Sequence, residues 1–154
     1  MHRLRITLTL LAMGALIVAC APVGSSASAT DGTGDGATTI NVTLQEFSII
    51  PESTTASAGE VTFHVTNEGP EDVHEFVIVK TDLAPDALPT AADGSVDEEG
   101  EGVEVIDELE DIPVGESQDV TATLDSGSYA LICNIVEGDE VHYAVGMRTG
   151  FTVE

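Results

Sequence analysis

Basic residues are scarce in this 154-residue sequence, which contains four Lys and Arg against 28 Asp and Glu. Two of the four lie in the first five positions, so only Lys80 and Arg148 remain in the rest of the chain. Nucleic-acid binding depends on basic side chains that neutralise phosphates, and this composition excludes it. The acidic excess either attracts basic partners or suits a salty habitat, where ions screen self-repulsion.

A long apolar run is also missing, except at the start of the chain. Two arginines precede the uncharged run 6–19, a pattern typical of an export signal. The run is shorter than the roughly 20 apolar residues that span a bilayer. It ends in Ile-Val-Ala-Cys, which resembles a bacterial lipobox, so we predict a lipoprotein signal peptide over residues 1–20 with lipidation at Cys20. The alternative is ordinary cleavage after Ala21.

Either interpretation predicts a protein that acts outside the cytoplasm. Lipid on Cys20 would anchor it to the cell membrane, whereas cleavage after Ala21 would leave a soluble secreted or periplasmic protein. Residues 21–38 contain mostly Gly, Ser, Ala, Thr and Asp without apolar periodicity, which is typical of a flexible tether. The remaining residues 39–154 suffice for one domain with a single core. We expect this domain to be a monomer.

Helical periodicity is absent from residues 39–154, and apolar residues instead alternate with polar ones. Glycine-containing turns separate these short runs. About seven such strands predict an all-β, antiparallel β-sandwich. The segment 82–102, rich in acids, Pro and Gly, interrupts the pattern and is predicted to be a surface excursion with at most one helical turn. The predicted strands are 40–45, 61–66, 73–81, 103–109, 117–124, 127–135 and 149–154.

Cysteine is scarce as well, with Cys133 as the one cysteine after Cys20. Disulfides are permitted outside the cytoplasm, so a Cys20–Cys133 bridge is one interpretation. A buried and inert thiol is another. The neighbours of Cys133 favour a third interpretation, because His142 and Met147 follow it at Cys-x8-His-x4-Met spacing. A thiolate, an imidazole and a thioether form a soft ligand set that selects copper(I) over hard cations.

A fourth ligand must come from elsewhere in the chain, and His74 is the candidate. It begins the run His-Glu-Phe-Val-Ile-Val and has the same parity as Phe76 and Ile78, so it faces the core if they do. His64 lies between Phe63 and Val65, and we expect it to face solvent. The sequence therefore predicts a histidine and a cysteine at strand ends, with a loop closing over them.

Two imidazoles, one cysteinate and a weak axial methionine are the ligands of a blue-copper centre. With these residues the chain resembles the cupredoxin family over roughly residues 39–154. The resemblance is carried by VTFHVTNEGPEDVHEF (61–76) and GSYALICNIVEGDEVHYAVGMRTGFTV (127–153). It implies a Greek-key β-sandwich, one type 1 copper ion, and single-electron transfer between redox partners such as a cytochrome or an oxidase. The ligands that it implies are His74, Cys133, His142 and Met147.

Two features depart from the family pattern. The interval between Cys133 and His142 is longer than usual, and Val-Glu-Gly-Asp-Glu at 136–140 has the character of an insertion. Glu75 follows the first histidine where an asparagine is common, which raises the question of what joins the two ligand-bearing segments.

Catalysis is not expected of this chain. Multicopper oxidases and copper nitrite reductases need further histidines, one of them beside the blue-site cysteine, but Cys133 is flanked by Ile132 and Asn134. Two alternatives to electron transfer use the same residues differently. Copper sequestration or delivery would employ the same ligands, whereas a metal-free binding module would make the pattern accidental, with Met147 as core filling.

Overall fold

The computed structural model describes residues 37–154 of the chain. These residues contain eleven β-strands and one four-residue helix. These residues belong to a compact unit, Gly34–Glu154. The predicted signal peptide (1–20), the lipidation site Cys20 and nearly all of the predicted tether (21–38) lie outside the described residues. No helix within residues 37–154 is long and apolar enough to cross a membrane.

The strands and the helix follow one another along the chain in a fixed order. They are β1 (Thr38–Gln45), β2 (Ser48–Pro51), β3 (Thr55–Ala56), β4 (Gly59–Asn67), β5 (His74–Lys80), β6 (Glu104–Ile112), β7 (Ser117–Leu124), β8 (Gly127–Ile132), β9 (Val136–Glu137), β10 (Glu140–Val141), α1 (His142–Val145) and β11 (Arg148–Val153). The boundaries of β7 agree with the predicted strand, whereas β8 ends at Ile132, three residues before the predicted end at 135.

Two sheets form the predicted sandwich. One has the strand order β2-β1-β4-β7 and the other β3-β11-β8-β5-β6, while β9 and β10 pair as a separate ribbon. The all-β sandwich is confirmed, but its sheets are mixed, because β1 pairs with β4 and β11 pairs with β3 in parallel. Alternation in the sequence has the same period in both kinds of pairing, so it does not reveal this difference.

The main core lies between the two sheets. Val61, Phe63 and Val65 of β4 are fully buried, and the residues between them face outward. The ring of Phe63 lies 5.4 Å from those of Phe76 in β5 and Phe151 in β11, measured between centroids. Tilted and edge-on aromatic pairs of this kind stabilise a core by about 0.5–1.5 kcal/mol beyond their buried area. These contacts join the two sheets at the centre of the domain.

The outward face of β4 is polar, as expected. His64 has a side chain that is 45 % exposed, and its Nδ1 lies 2.6 Å from Asp119 Oδ1 in β7. Thr62 bonds Thr121 across the same strand pair at 2.8 Å. The prediction that His64 faces solvent is therefore confirmed.

A second apolar cluster lies on the other face of the five-stranded sheet. The run Phe76-Val77-Ile78-Val79 is buried on both faces, and Val77 and Val79 pack away from the main core. Leu88 and Val96 cover them together with other apolar residues. Both covering residues belong to the acidic segment 82–102. The prediction of a surface excursion is therefore wrong in part, because the segment contributes two buried side chains to a sheet that is covered on both sides.

Asn67, at the end of β4, fixes the turn that leads to β5. Its buried side-chain amide donates to the carbonyl oxygens of Asp72, at 2.8 Å, and Ile112, at 2.9 Å. Its Oδ1 accepts the Gly69 N–H at 2.8 Å. Gly69 has a φ of 55°, and a Cβ there would lie 2.7 Å from the side chain of Val114. The turn is thus specified by one buried amide and one glycine.

We expect Asn67→Ala to destabilise the metal-free domain by about 3 kcal/mol, because it removes three hydrogen bonds at a buried position. Urea unfolding of the Gly34–Glu154 unit measures the change. Asn41→Ala is the matched control, since Asn41 makes an exposed bond to Glu52, and its cost should stay within about 0.5 kcal/mol. Equal losses in the two variants would contradict this account of the turn.

Candidate metal centre

Three buried side chains converge at one end of the sandwich. His74 is the first residue of β5, Cys133 directly follows β8, and His142 is the first residue of α1. All three are fully buried, and one potential ligand atom from each lies within 4.8 Å of the other two. The structure therefore brings together three of the four residues singled out in the sequence as ligand donors.

The facing atoms of these side chains point to a common centre. The Nδ1 atoms of His74 and His142 are 3.3 Å apart, and Cys133 Sγ lies 3.4 Å from His142 Nδ1. The Nε2 atom of each histidine is buried and has no hydrogen-bond partner among the described residues. Imidazole nitrogens and a thiolate are the donors that bind soft and borderline metal ions. The chemistry and placement of these donors fit a metal centre.

Met147 lies beside this centre. It is fully buried in the same apolar cluster as Cys133. Its carbonyl oxygen accepts the Cys133 N–H at 3.0 Å, and its own N–H donates to the His142 carbonyl at 2.9 Å. The two residues that hold Met147 by backbone hydrogen bonds are thus two of the three converging donors.

The long interval between Cys133 and His142 folds into a side ribbon. Strands β9 and β10 pair antiparallel, so that Val136 lies opposite Val141. The His142 N–H then donates to the carbonyl oxygen of Ile135 at 3.0 Å. Because the ribbon returns the chain to the point where it left, the extra residues do not separate the two donors.

Burial favours the neutral forms of two of the donors, Cys133 and His74, when no metal is bound. Burial raises the pKa of the Cys133 thiol to about 11, although the Glu75 N–H bonds its sulfur at 3.3 Å. Burial and the neighbouring His142 lower the pKa of His74. A neutral imidazole is ready to bind a metal, whereas the thiol must release its proton first.

Solved structures of auracyanins and of rusticyanin share the overall fold of this chain. Reduced auracyanin from the photosynthetic bacterium Roseiflexus castenholzii matches 77 % of this chain and 99 % of its own, with 24 % identity and a TM-score of 0.53. Auracyanin A, a "blue" copper protein from Chloroflexus aurantiacus, matches 77 % and 100 %, with 22 % identity and a TM-score of 0.51. Rusticyanin from Thiobacillus ferrooxidans matches 77 % and 79 %, with 19 % identity and a TM-score of 0.52.

The chain has the cupredoxin fold. No protein-family model matches its sequence, and no curated protein sequence does. The expected fold is therefore confirmed by structure, at identities too low for sequence comparison to reveal it.

Glu75 answers the question raised by its place in the sequence. Its Oε2 accepts the Asn134 N–H at 3.1 Å, while its own N–H bonds Cys133 Sγ. Glu75 thus joins the segment that carries His74 to the segment that carries Cys133. Burial raises the pKa of its carboxyl group to about 7, and nearby acids including Glu108 add to the effect.

Two further residues of the loop that carries Cys133 and His142 clamp the acidic segment 82–102 onto the sandwich. Asn134 Oδ1 accepts the Val96 N–H at 2.6 Å, and its Nδ2 donates to the Val96 carbonyl at 3.1 Å. The Tyr143 hydroxyl accepts the Leu88 N–H at 3.1 Å and donates to the Pro85 carbonyl at 2.9 Å. Sequence reasoning missed both clamps, and their only signal was their position between predicted ligands.

Arg148 fixes the end of the short helix on the same loop. Its guanidinium donates to the carbonyl oxygens of Tyr143 and Ala144 and lies 5.1 Å from the centre of the Tyr143 ring. A cation at the carboxyl end of a helix offsets the partial negative charge of the free carbonyls. Arg148 therefore holds α1 beside the centre.

Acidic and aromatic side chains surround the two histidines of the centre. The Phe47 ring packs edge-on against His142, with centroids 5.2 Å apart. Glu46 Oε1 lies 3.7 Å from His74 Nε2. Carboxylates of Asp72 and Glu140 lie within 4.8 Å of a ring nitrogen of His142. Both histidines therefore have carboxylates close by.

We expect Asn134→Ala to loosen the segment 82–102 without unfolding the domain. The Val96 amide should exchange with solvent about fivefold faster, because it loses its bond to the Asn134 side chain, and a net loss of about 1 kcal/mol corresponds to roughly a fivefold change. Hydrogen exchange followed by NMR measures this rate. Ser95→Ala is the control, since the substitution removes only a hydroxyl group that bonds the exposed Asp93. Unchanged Val96 exchange in Asn134→Ala would refute the clamp.

Proposed function

We propose that this protein is a type 1 copper protein that carries single electrons between redox partners outside the cytoplasm. The observation that carries the proposal is the convergence of His74 Nδ1, Cys133 Sγ and His142 Nδ1 at one buried point of a cupredoxin sandwich. These three atoms would hold the ion, and the thioether of Met147 would be a fourth, weaker donor.

Bound at such a site, copper supplies one-electron chemistry between its two oxidation states. The chain's own residues keep the donors in one arrangement for both states. Cys133 gives up its thiol proton on metal binding, and the Glu75 N–H bonds the sulfur that remains. Full burial of His74 and His142 keeps water away from their ring nitrogens. Donors held in place by strand ends and backbone bonds need little rearrangement when the charge changes.

We propose a carrier and not an enzyme. Ile132 and Asn134, the neighbours of Cys133, offer no imidazole for a second copper ion. His64 lies on the outer face of the four-stranded sheet, where it pairs with Asp119. Among residues 37–154 the remaining histidines are thus those of the candidate centre itself.

We propose the location and the partners of the protein from features of its sequence. Residues 1–20 would direct export, Cys20 would carry lipid, and residues 21–38 would tether the domain to the cell membrane. The 28 acidic residues favour a redox partner with a basic docking surface, such as a cytochrome or an oxidase.

A copper titration tests the proposed function. We expect copper(II) to give the Gly34–Glu154 unit an intense visible band at one ion per chain, because a cysteinate bound to copper(II) absorbs strongly. Cys133→Ser removes the sulfur donor and should abolish the band. Copper(I) binding without any band for copper(II) would favour sequestration or delivery. No binding of either ion would leave a metal-free sandwich.

Met147→Leu tests the axial ligand. The visible band should persist, since the three other donors remain, but the reduction potential should rise by about 60 mV, a tenfold shift in the one-electron equilibrium. The reason is that loss of a donor disfavours copper(II) more than copper(I). Protein-film voltammetry measures the potential. Leu124→Met, a conservative change in the core, should leave it unchanged, and an equal potential in both variants would assign Met147 to packing alone.

A further inference from the structure

The Nε2 atom of His74 lies near a largely buried carboxylate. Glu46, in the link between β1 and β2, places Oε1 3.7 Å from His74 Nε2, and the side chains are 12 % and 0 % exposed. His74 Nε2 and Glu46 Oε2 are buried atoms without a hydrogen-bond partner among residues 37–154. The buried Nε2 atom thus has no partner among these residues, and Glu46 Oε1 lies only slightly beyond hydrogen-bond distance from it. Unsatisfied buried groups of this kind are rare in folded proteins.

The position of Glu46 is fixed by backbone groups. Its Oε1 accepts the N–H of Asp72 at 2.7 Å and that of Glu71 at 3.0 Å. Both donors belong to the turn that Asn67 organises just before His74. Burial opposes ionisation of Glu46, but these two hydrogen bonds outweigh it and hold the pKa of the carboxyl group below its usual value.

The proton on His74 determines what this carboxylate can do. A metal ion on Nδ1 leaves the ring proton on Nε2, which then points toward Glu46. Histidines bound to metals commonly donate that proton to a carboxylate or a carbonyl, and the bond fixes the ring and makes it a better donor. A negative charge at this distance also favours the more positive state of the ion, since the surroundings screen it weakly.

We propose that Glu46 is a positioning residue for His74, accepting its Nε2 proton and stabilising oxidised copper relative to reduced copper. The inference rests on the proposed function, and it names one residue that lowers the reduction potential of the site. It assigns this role to a carboxylate that is separated from His74 by the three strands β2, β3 and β4 and that the sequence pattern gave no reason to select.

The test compares Glu46→Gln with Glu52→Gln in the copper-loaded Gly34–Glu154 unit. Gln keeps a carbonyl oxygen for the Asp72 and Glu71 N–H groups but carries no charge. Glu52 is exposed and bonds Asn41, far along β1 from the site. We expect Glu46→Gln to raise the ratio of copper(I) to copper(II) at a fixed potential about tenfold, or about 60 mV. Glu52→Gln should change the ratio less than twofold.

A second readout concerns the ring proton itself. In the copper(I) form, which is diamagnetic, NMR should show a His74 Nε2–H signal that exchanges with solvent at least tenfold more slowly in the wild type than in Glu46→Gln. Glu46→Asp keeps the charge and shortens the reach, so it should retain a near-wild-type potential but expose the proton to faster exchange.

The outcomes separate the two proposals. A visible band in the wild type, together with equal potentials and equal ring-proton exchange in Glu46→Gln and Glu52→Gln, would overturn the role of Glu46 and leave the copper site standing. Absence of the band from the wild type would overturn both. If Glu46→Gln does not fold, the wild-type spectrum decides, because lack of a protected His74 Nε2–H proton overturns the inference.

Discussion

The approach of two imidazole nitrogens to 3.3 Å, between His74 and His142, is the constraint on which the rest of the arrangement depends. Two acceptor nitrogens this close repel each other unless a proton or a metal ion lies between them, and burial removes the water that would separate them. The chain holds them there through its backbone. The turn fixed by Asn67 delivers His74, and the bond from the His142 N–H to Ile135 delivers its partner.

The sandwich can hold the two histidines this close because β5 and β8, which position His74 and Cys133, are covered on both faces. Strand β5 packs into the main core through Phe76 and into the second cluster through Val77. Sheets with both faces buried leave their strands little freedom to shift. The acidic segment 82–102 completes the cover and is itself clamped by Asn134 and Tyr143. The segment 82–102 and the loop that carries the donors therefore stabilise each other.

Sequence reasoning reached the parts of this structure that depend on local pattern. Parity along β5 placed His74 inside, and alternation gave the bounds of β7. It did not reach Glu46 or the Asn134 clamp, because each depends on contacts between residues that are distant in the chain. It also missed the parallel pairs, and it judged the segment 82–102 by its acids although Leu88 and Val96 bury their side chains. The copper ligands themselves remain a prediction.

The β9–β10 ribbon has a consequence for how such a site can vary. Since Val136 and Val141 pair and His142 bonds Ile135, the ribbon is closed at its base, and its tip around Gly138 lies at the other end of the pairing. Chain length at that tip is uncoupled from the geometry at the base. The tip is a modular appendage, where an epitope, a spectroscopic label or a recognition sequence can be exchanged while the donor cluster is kept.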